Sequence, residues 1–343
     1  MLDSLQYLRA IASIMVVCYH LNVQLERMGY NGWWPGSLAS GVDLFFIISG
    51  FLMLVTTDQK AGYTLSFYRK RLVRIVPLYW IITSLFVFLM IFAPATVQSG
   101  RPETWHIIAS YLFLPAQHPV FPTIEPVVIP GWTLNYEMFF YFVWGFILLL
   151  PNGLRASAIS VLFAGLVLLG ALFPPSNVMM TFYTSTIIIE FIFGVMVGVW
   201  YIKGRPVPTF AGWGLLIAGF AAMLSLNEVT SQSRFLLWGI PAALIVIGAL
   251  ILEKAGAVRK YPFFTLLGDA SYSIYIVHGI ALSAAGQIWR RLGLVDLPGG
   301  LLLFAVCATV ASVAAGVVVH FTIERPLLRL MTRKTPRVAA SLP

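Results

Sequence analysis

Residues 299–321 read Gly299-Gly-Leu-Leu-Leu-Phe-Ala-Val-Cys-Ala-Thr-Val-Ala-Ser-Val-Ala-Ala-Gly-Val-Val-Val-His320-Phe321, a run without Asp, Glu, Lys or Arg. A helix rises about 1.5 Å per residue, so roughly 20 such residues cross the ~30 Å hydrocarbon core of a bilayer. Stretches of the same kind recur at 5–25, 41–56, 75–95, 132–150, 156–173, 183–202, 209–226, 234–252 and 264–286. All are long enough to span except 41–56, which is short and continues toward Thr57. The expected fold is an all-α polytopic membrane protein of about ten transmembrane helices. Composition agrees. The 343 residues are 59% hydrophobic and 10% charged, against about 25% charged in an ordinary soluble domain. That balance excludes a soluble globule, a disordered chain, a disulfide scaffold and a DNA-binding domain with a charged surface.

The formal net charge of +9 is explained by where the bases fall. Arg9 lies inside the first stretch; of the other bases, sixteen fall on the N-terminal side of the expected membrane and five on the opposite side. The positive-inside rule then places both termini in the cytoplasm, and nucleic acid is not needed to account for the charge. Cys18 and Cys307 both sit in apolar stretches and carry no zinc spacing, so they read as packing residues and no metal is expected. The opening Met-Leu-Asp-Ser lacks a basic region and a cleavage site, which reads as a retained first span. No soluble domain interrupts the spans: residues 1–333 are expected to form one transmembrane domain, and 334–343 a disordered cytoplasmic tail. The longest connection, 96–131, holds Pro102, Pro115, Pro119, Pro122, Pro126 and Pro130 and cannot be one regular helix. Its apolar part, 104–114, is too short to span and reads as an interfacial or re-entrant piece, a possible cover for an external cavity.

A charge inside a span costs a few kcal/mol, so each one asks for a partner or a task. The residues in question are Arg9, His20, Asp43, Glu137, Glu190, Asp269 and His278. Arg9 and His20 are eleven residues apart, about three turns, and so share a helix face. His20, Asp43, Glu137 and His278 are expected in one external half-membrane layer. Asp43 at that depth reads in two compatible ways: as the carboxylate that orients the His20 imidazole, and as a helix N-cap. At the cytoplasmic face, Arg71 and Arg74 stand three apart on one helix surface, where their forks suit phosphate oxygens or anionic lipid.

Taken together these segments resemble the integral-membrane acyltransferase-3 family, and within it the exopolysaccharide O-acetyltransferases. The resemblance rests on Arg9 and His20, Gly41-Val-Asp43-Leu-Phe-Phe-Ile-Ile-Ser-Gly50, Arg71-Leu-Val-Arg74-Ile-Val-Pro77, Trp132-Thr-Leu-Asn-Tyr-Glu137, Gly268-Asp269-Ala-Ser271-Tyr-Ser-Ile-Tyr-Ile-Val-His278 and Glu324-Arg325-Pro326. These motifs run in order through nearly the whole chain. The resemblance implies a multi-pass protein of the bacterial inner membrane. Its activity would be transfer of an acetyl group from cytoplasmic acetyl-CoA, a co-substrate, to a hydroxyl of an extracytoplasmic or lipid-linked polysaccharide. His20, Asp43 and Glu137 would be catalytic, with His20 as base or acyl carrier; Arg9, Arg71 and Arg74 would bind acetyl-CoA; Trp132 and His278 would bind the acceptor. A hydrolase-like domain that some relatives append has no counterpart here, so either a soluble partner or this chain completes the transfer. The rival reading from another class is a transporter or flippase of a lipid-linked glycan, since buried ionisable groups mark transport paths too.

Overall fold

A computed structural model describes residues 2–58, 64–94, 100–204 and 206–332. The expected tail 334–343, and Lys60, Arg205, Arg333, Lys334 and Arg337 of the charge count, lie outside the described residues. A helix overlies each of the ten expected stretches: α1 Asp3–Glu26, α2 Gly41–Thr57, α3 Thr64–Phe92, α5 Trp132–Ile147, α6 Asn152–Leu172, α8 Ile189–Lys203, α9 Thr209–Ser225, α10 Ile240–Lys254, α11 Pro262–Arg291 and α12 Gly300–Val319. Short helices α4 Thr104–Tyr111, α7 Val178–Tyr183 and α13 Arg325–Thr332 complete the set, with π-helical turns at Phe235–Gly239 and His320–Glu324. Among the described residues, the sole β pairing is an isolated bridge between Gln117 and Ile124.

Seven helical segments are long and apolar enough to cross a membrane by length and composition. α5 and α9 fall short at 16 and 17 residues. α11 has 30 residues but breaks its apolar run with Asp269, which is exposed, and with Ser271, Ser273 and His278, which are buried in the bundle interior. The outward faces show the reverse pattern, with Leu65 83% and Leu302 73% exposed. Large aliphatic side chains turned outward while charged ones turn inward is the arrangement for lipid, not water.

Helices approach closely where side chains vanish. A Cβ on Gly50 of α2 would lie 2.2 Å from the Phe191 carbonyl of α8, and one on Gly194 would lie 2.2 Å from the Ile47 carbonyl. The two backbones therefore touch, as small-residue pairs allow in membranes, where apolar surface gives no drive to associate. Beside this contact, aromatic rings fill the space between α2, α5 and α8: Phe140 stacks on Phe191 at 4.4 Å, and Phe46 lies 4.7 Å from Phe191. α1 runs through the middle of the bundle, packing on α2, α10, α11 and α12.

The N-terminal end of α1 is tied to other chain ends. The amides of Asp3 and Ser4 donate to the Glu253 carboxylate at 3.2 and 2.7 Å, and Tyr7 donates to the Arg259 carbonyl. Arg69 donates to the Met331 carbonyl, and Arg9 and Leu328 line one cavity, so the beginning and the end of the described chain share one end of the bundle. We call this the proximal end. At the distal end, residues 100–131 of the proline-rich connection hold α4 and a tight loop docked on α3: Trp80 donates to the Tyr111 carbonyl at 2.9 Å, and the Val127 amide donates to Ser110 at 2.9 Å. Burial there raises the carboxyl of Glu125, and burial with the neighbouring His106 lowers the imidazole of His118.

Candidate functional site

Two cavities open on the proximal side of the bundle and share Arg9 and Arg74 in their walls. The wider, about 310 Å³, is lined by Asp269, His320, Glu324 and Arg325 as well. The deeper, about 100 Å³, continues between α2, α3, α5 and α11, where Arg71, Ser49, Glu137, Tyr141 and Tyr275 join the wall. Arg9 is held in place, 7% exposed: Nη1 donates to Gln6 at 3.0 Å and Nη2 to Ser271 at 2.9 Å, while Gln6 in turn donates to Asp269. Arg71 lies between the rings of Phe67 and Tyr141, at 5.6 and 5.5 Å. Its Nε is buried without a hydrogen-bond partner. Glu137 accepts from Ser49 at 3.3 Å and from Tyr141. The structure thus brings the three expected arginines together and adds Glu137 to them. Glu137 sits five residues into α5, one turn past Thr133, and faces the arginine cavity, which His20 does not line.

His20 pairs with His278. Their ring centroids are 4.8 Å apart, inclined at 52°. His20 Nδ1 lies 3.0 Å from the Val16 carbonyl and His278 Nδ1 2.5 Å from that of Tyr275. A carbonyl only accepts, so in the neutral rings each Nδ1 carries the proton and each Nε2 is left as the basic nitrogen. His278 Nε2 is buried and unpartnered. Neither imidazole lines the cavity. Tyr275 does, and its ring is 5.8 Å from His278. Its hydroxyl donates to the Pro130 carbonyl at 3.0 Å and lies 2.8 Å from Thr133 Oγ1, while Phe45 packs on the ring at 5.7 Å. A single aromatic layer separates the guanidinium cavity from the two imidazoles.

Asp43 does not meet His20, and that expectation is corrected. Both its oxygens bind Arg234: Nε donates at 3.1 Å and Nη2 at 2.6 Å. Helix phase explains the difference. Asp43 and Gly50 are seven residues apart, about two turns, so they share one face of α2. Gly50 sits on α8, which turns Asp43 toward α8 and the start of α10. The expected N-cap role is not used either, since Asp43 lies inside α2 and Ser40 precedes the helix without a side-chain cap. Equal depth in the membrane predicted contact; azimuth around the helix decided it.

Arg234 is the residue that sequence reasoning missed, having counted it as one of the distal loop bases. Besides Asp43 it donates to the Ala39 carbonyl at 3.2 Å, and its guanidinium lies 4.9 Å from the Trp238 ring and 6.0 Å from that of Trp132. The available signal was Trp238 four positions on, one helical turn away. Trp132 begins α5 at this distal cluster, outside the arginine cavity, against Phe46 at 6.4 Å. Glu190 is fully buried nearby, both carboxyl oxygens without a hydrogen bond. At the proximal side, Glu324 accepts from Ser273 at 2.6 Å and meets His320 Nδ1 at 2.8 Å, which fixes the Glu-Arg-Pro motif against α11. Among the described residues, no group of three or more His, Cys, Asp or Glu is placed to hold a metal.

Residues 2–321 match a family described as an acyltransferase domain. The chain is 37% identical over 313 residues to the exopolysaccharide production protein ExoZ of Rhizobium meliloti (strain 1021), covering 89% of this chain and 93% of that one. It is 25% identical over 351 residues to the acyltransferase MdmB of Streptomyces mycarofaciens, covering 90% and 85%. With the O-acetyltransferase OatA of Staphylococcus aureus (strain NCTC 8325 / PS 47) it shares 26% over 313 residues, 81% of this chain but 50% of that one. No solved structure matches the chain.

Proposed function

The chain belongs to this acyltransferase-domain family, and from that premise we propose that it moves an acetyl group from cytoplasmic acetyl-CoA to a hydroxyl of an extracytoplasmic or lipid-linked polysaccharide. Residues 1–333 act as one transmembrane unit of ten spans in the bacterial inner membrane, with the proximal end in the cytoplasm. The observation that carries the reading is the layered order of the groups: three guanidinium groups around a proximal cavity, then the Tyr275 layer, then the His20–His278 pair. Guanidinium forks suit the phosphates of coenzyme A, and a point charge would not replace them. Arg9, Arg71 and Arg74 hold these phosphates, and the pantetheine arm runs up the deeper cavity past Glu137.

His20 Nε2 then has two ways to act. As a base it takes the proton of the acceptor hydroxyl while that oxygen attacks the thioester carbonyl, the carbon–sulfur bond breaks and the thiolate leaves. As a carrier, Nε2 attacks the carbonyl itself and hands the acetyl to the hydroxyl in a second step. His278 lies against the imidazole in either case and faces the acceptor together with Trp132. Glu137 positions the thioester end of the donor or shares the proton transfer. Asp43 serves through Arg234, not through His20.

Purified protein given labelled acetyl-CoA and a panel of acceptor glycans tests the reading. Label in the glycan is the expected result, and label trapped on the protein before acceptor is added identifies the carrier route. Movement of a lipid-linked glycan across a vesicle membrane, with acetyl-CoA neither bound nor consumed, would replace this reading by a flippase.

A further inference from the structure

Arg234 is a charged side chain with more fixing than a loop base requires and one edge left over. Asp43 grips Nε and Nη2, the Ala39 carbonyl takes a second Nη2 proton, and the plane is flanked by two indoles. Nη1 has no hydrogen-bond partner and is not among the buried unpartnered atoms, so the 16% of the side chain that is exposed includes it. Tyr19, 38% exposed, lies within electrostatic reach of this guanidinium and edge-on to His20 at 5.0 Å. Tyr19 thus links the free donor edge and its indoles to the imidazole pair. Resting on the acyl-transfer reading above, we propose that Arg234, with Trp132 and Tyr19, forms the subsite that binds a neutral hexose unit of the acceptor glycan and presents its hydroxyl to His20.

The chemistry selects a neutral sugar. Two protons on Nη1 match adjacent hydroxyl oxygens, and an indole face matches the C–H face of a pyranose. An anionic sugar finds no unmatched positive charge: Asp43 already neutralises the guanidinium, and the Glu190 carboxyl lies behind the pair. Arg234 is thus a specificity residue whose geometry Asp43 sets. Lysine would keep the charge but lose the fork and the free edge.

The test uses the full chain in detergent, with cellotetraose as the neutral probe and tetragalacturonate as the anionic one. Binding is followed by calorimetry, and acetyl-CoA binding is measured separately on the same samples. The parent is expected to bind cellotetraose at least about tenfold more tightly than tetragalacturonate. Arg234→Lys and Trp132→Phe should each weaken cellotetraose about tenfold, the scale of one lost charge-assisted hydrogen bond or stacking contact, with acetyl-CoA affinity and thermal melting unchanged. No binding of cellotetraose by the parent, equal binding of tetragalacturonate, or parent-like cellotetraose affinity in the variants would overturn the proposal. If Arg234→Lys loses its fold, Trp132→Phe, which keeps a ring against Phe46, decides alone. Expected sugar binding without any acetyl-CoA binding would leave the subsite standing and remove the acyl-transfer reading.

Discussion

Arg71 keeps a buried Nε with no partner beside a cavity that two other arginines enter. Three guanidinium groups in one cavity wall repel one another, and a multiply charged anion relieves that repulsion. Arg71→Ala with Arg74→Ala should therefore lower acetyl-CoA affinity by about a hundredfold or more, since each charge-assisted bond contributes about 1.5–3 kcal/mol. Calorimetry on folded protein checks it, and unchanged affinity would return the pair to lipid anchoring. His20→Gln should cut acetyl transfer by about 10²–10⁴-fold while acetyl-CoA still binds. Glutamine can accept a hydrogen bond but cannot take the proton, so a rate near that of the parent would remove His20 from the chemistry. Arg9 and His20 stand out in the sequence because an ionisable group in an apolar run announces itself, and Arg71 and Arg74 because a spacing of three puts two bases on one helix surface. Arg234 was illegible because a base at a span's edge looks like a topology signal.

Helix existence followed directly from apolar run length, and each expected stretch overlies a helix. Helix phase did not follow. Which neighbour Asp43 meets depends on how α2 is rotated, and that rotation is set at the Gly50–Gly194 contact, a feature with no chemical signature of its own. Gly50→Val should accordingly act at a distance. Its side chain has no room against the Phe191 carbonyl, so α2 and α8 must part, at a cost of about 1–3 kcal/mol or more. Thermal melting in detergent should fall, and transfer should fall with it as the Asp43–Arg234 pair is displaced. A variant that melts with the parent would show that the contact yields cheaply. α5 and α9 fall outside the seven by length, and α11 by its polar positions, of which Ser271, Ser273 and His278 are buried against neighbouring helices, a covering that no single run of sequence reveals.

For the molecule as a whole, Asp3 and Ser4 are tied to Glu253 and Met331 to Arg69, and Arg9 and Leu328 line one cavity, so both described ends of the chain lie at the proximal end. With the sixteen-to-five division of bases, this predicts that reporters fused to either terminus respond in the cytoplasm. A C-terminal reporter active outside would place the arginine cavity in a compartment without coenzyme A and would end the proposed mechanism. The layer of Phe45, Tyr275, Thr133 and the Pro130 carbonyl has an electrical meaning as well. It is the insulation between the two sides. Acetyl crossing outward is formally an acylium, CH₃CO⁺, and the acceptor must lose one H⁺. If that proton passes inward to the departing thiolate, each turnover exchanges one positive charge for another and the rate ignores membrane voltage. If the proton is released outside instead, each turnover exports one charge, against a cost of about 2.3 kcal/mol per 100 mV of inside-negative potential. Initial rates in proteoliposomes held at different potassium diffusion potentials read out which path the proton takes. A proton that His20 Nε2 takes from the acceptor stays within the imidazole pair, whose ring centroids are 4.8 Å apart, and is kept from the outside, so a voltage-independent rate is the expected result.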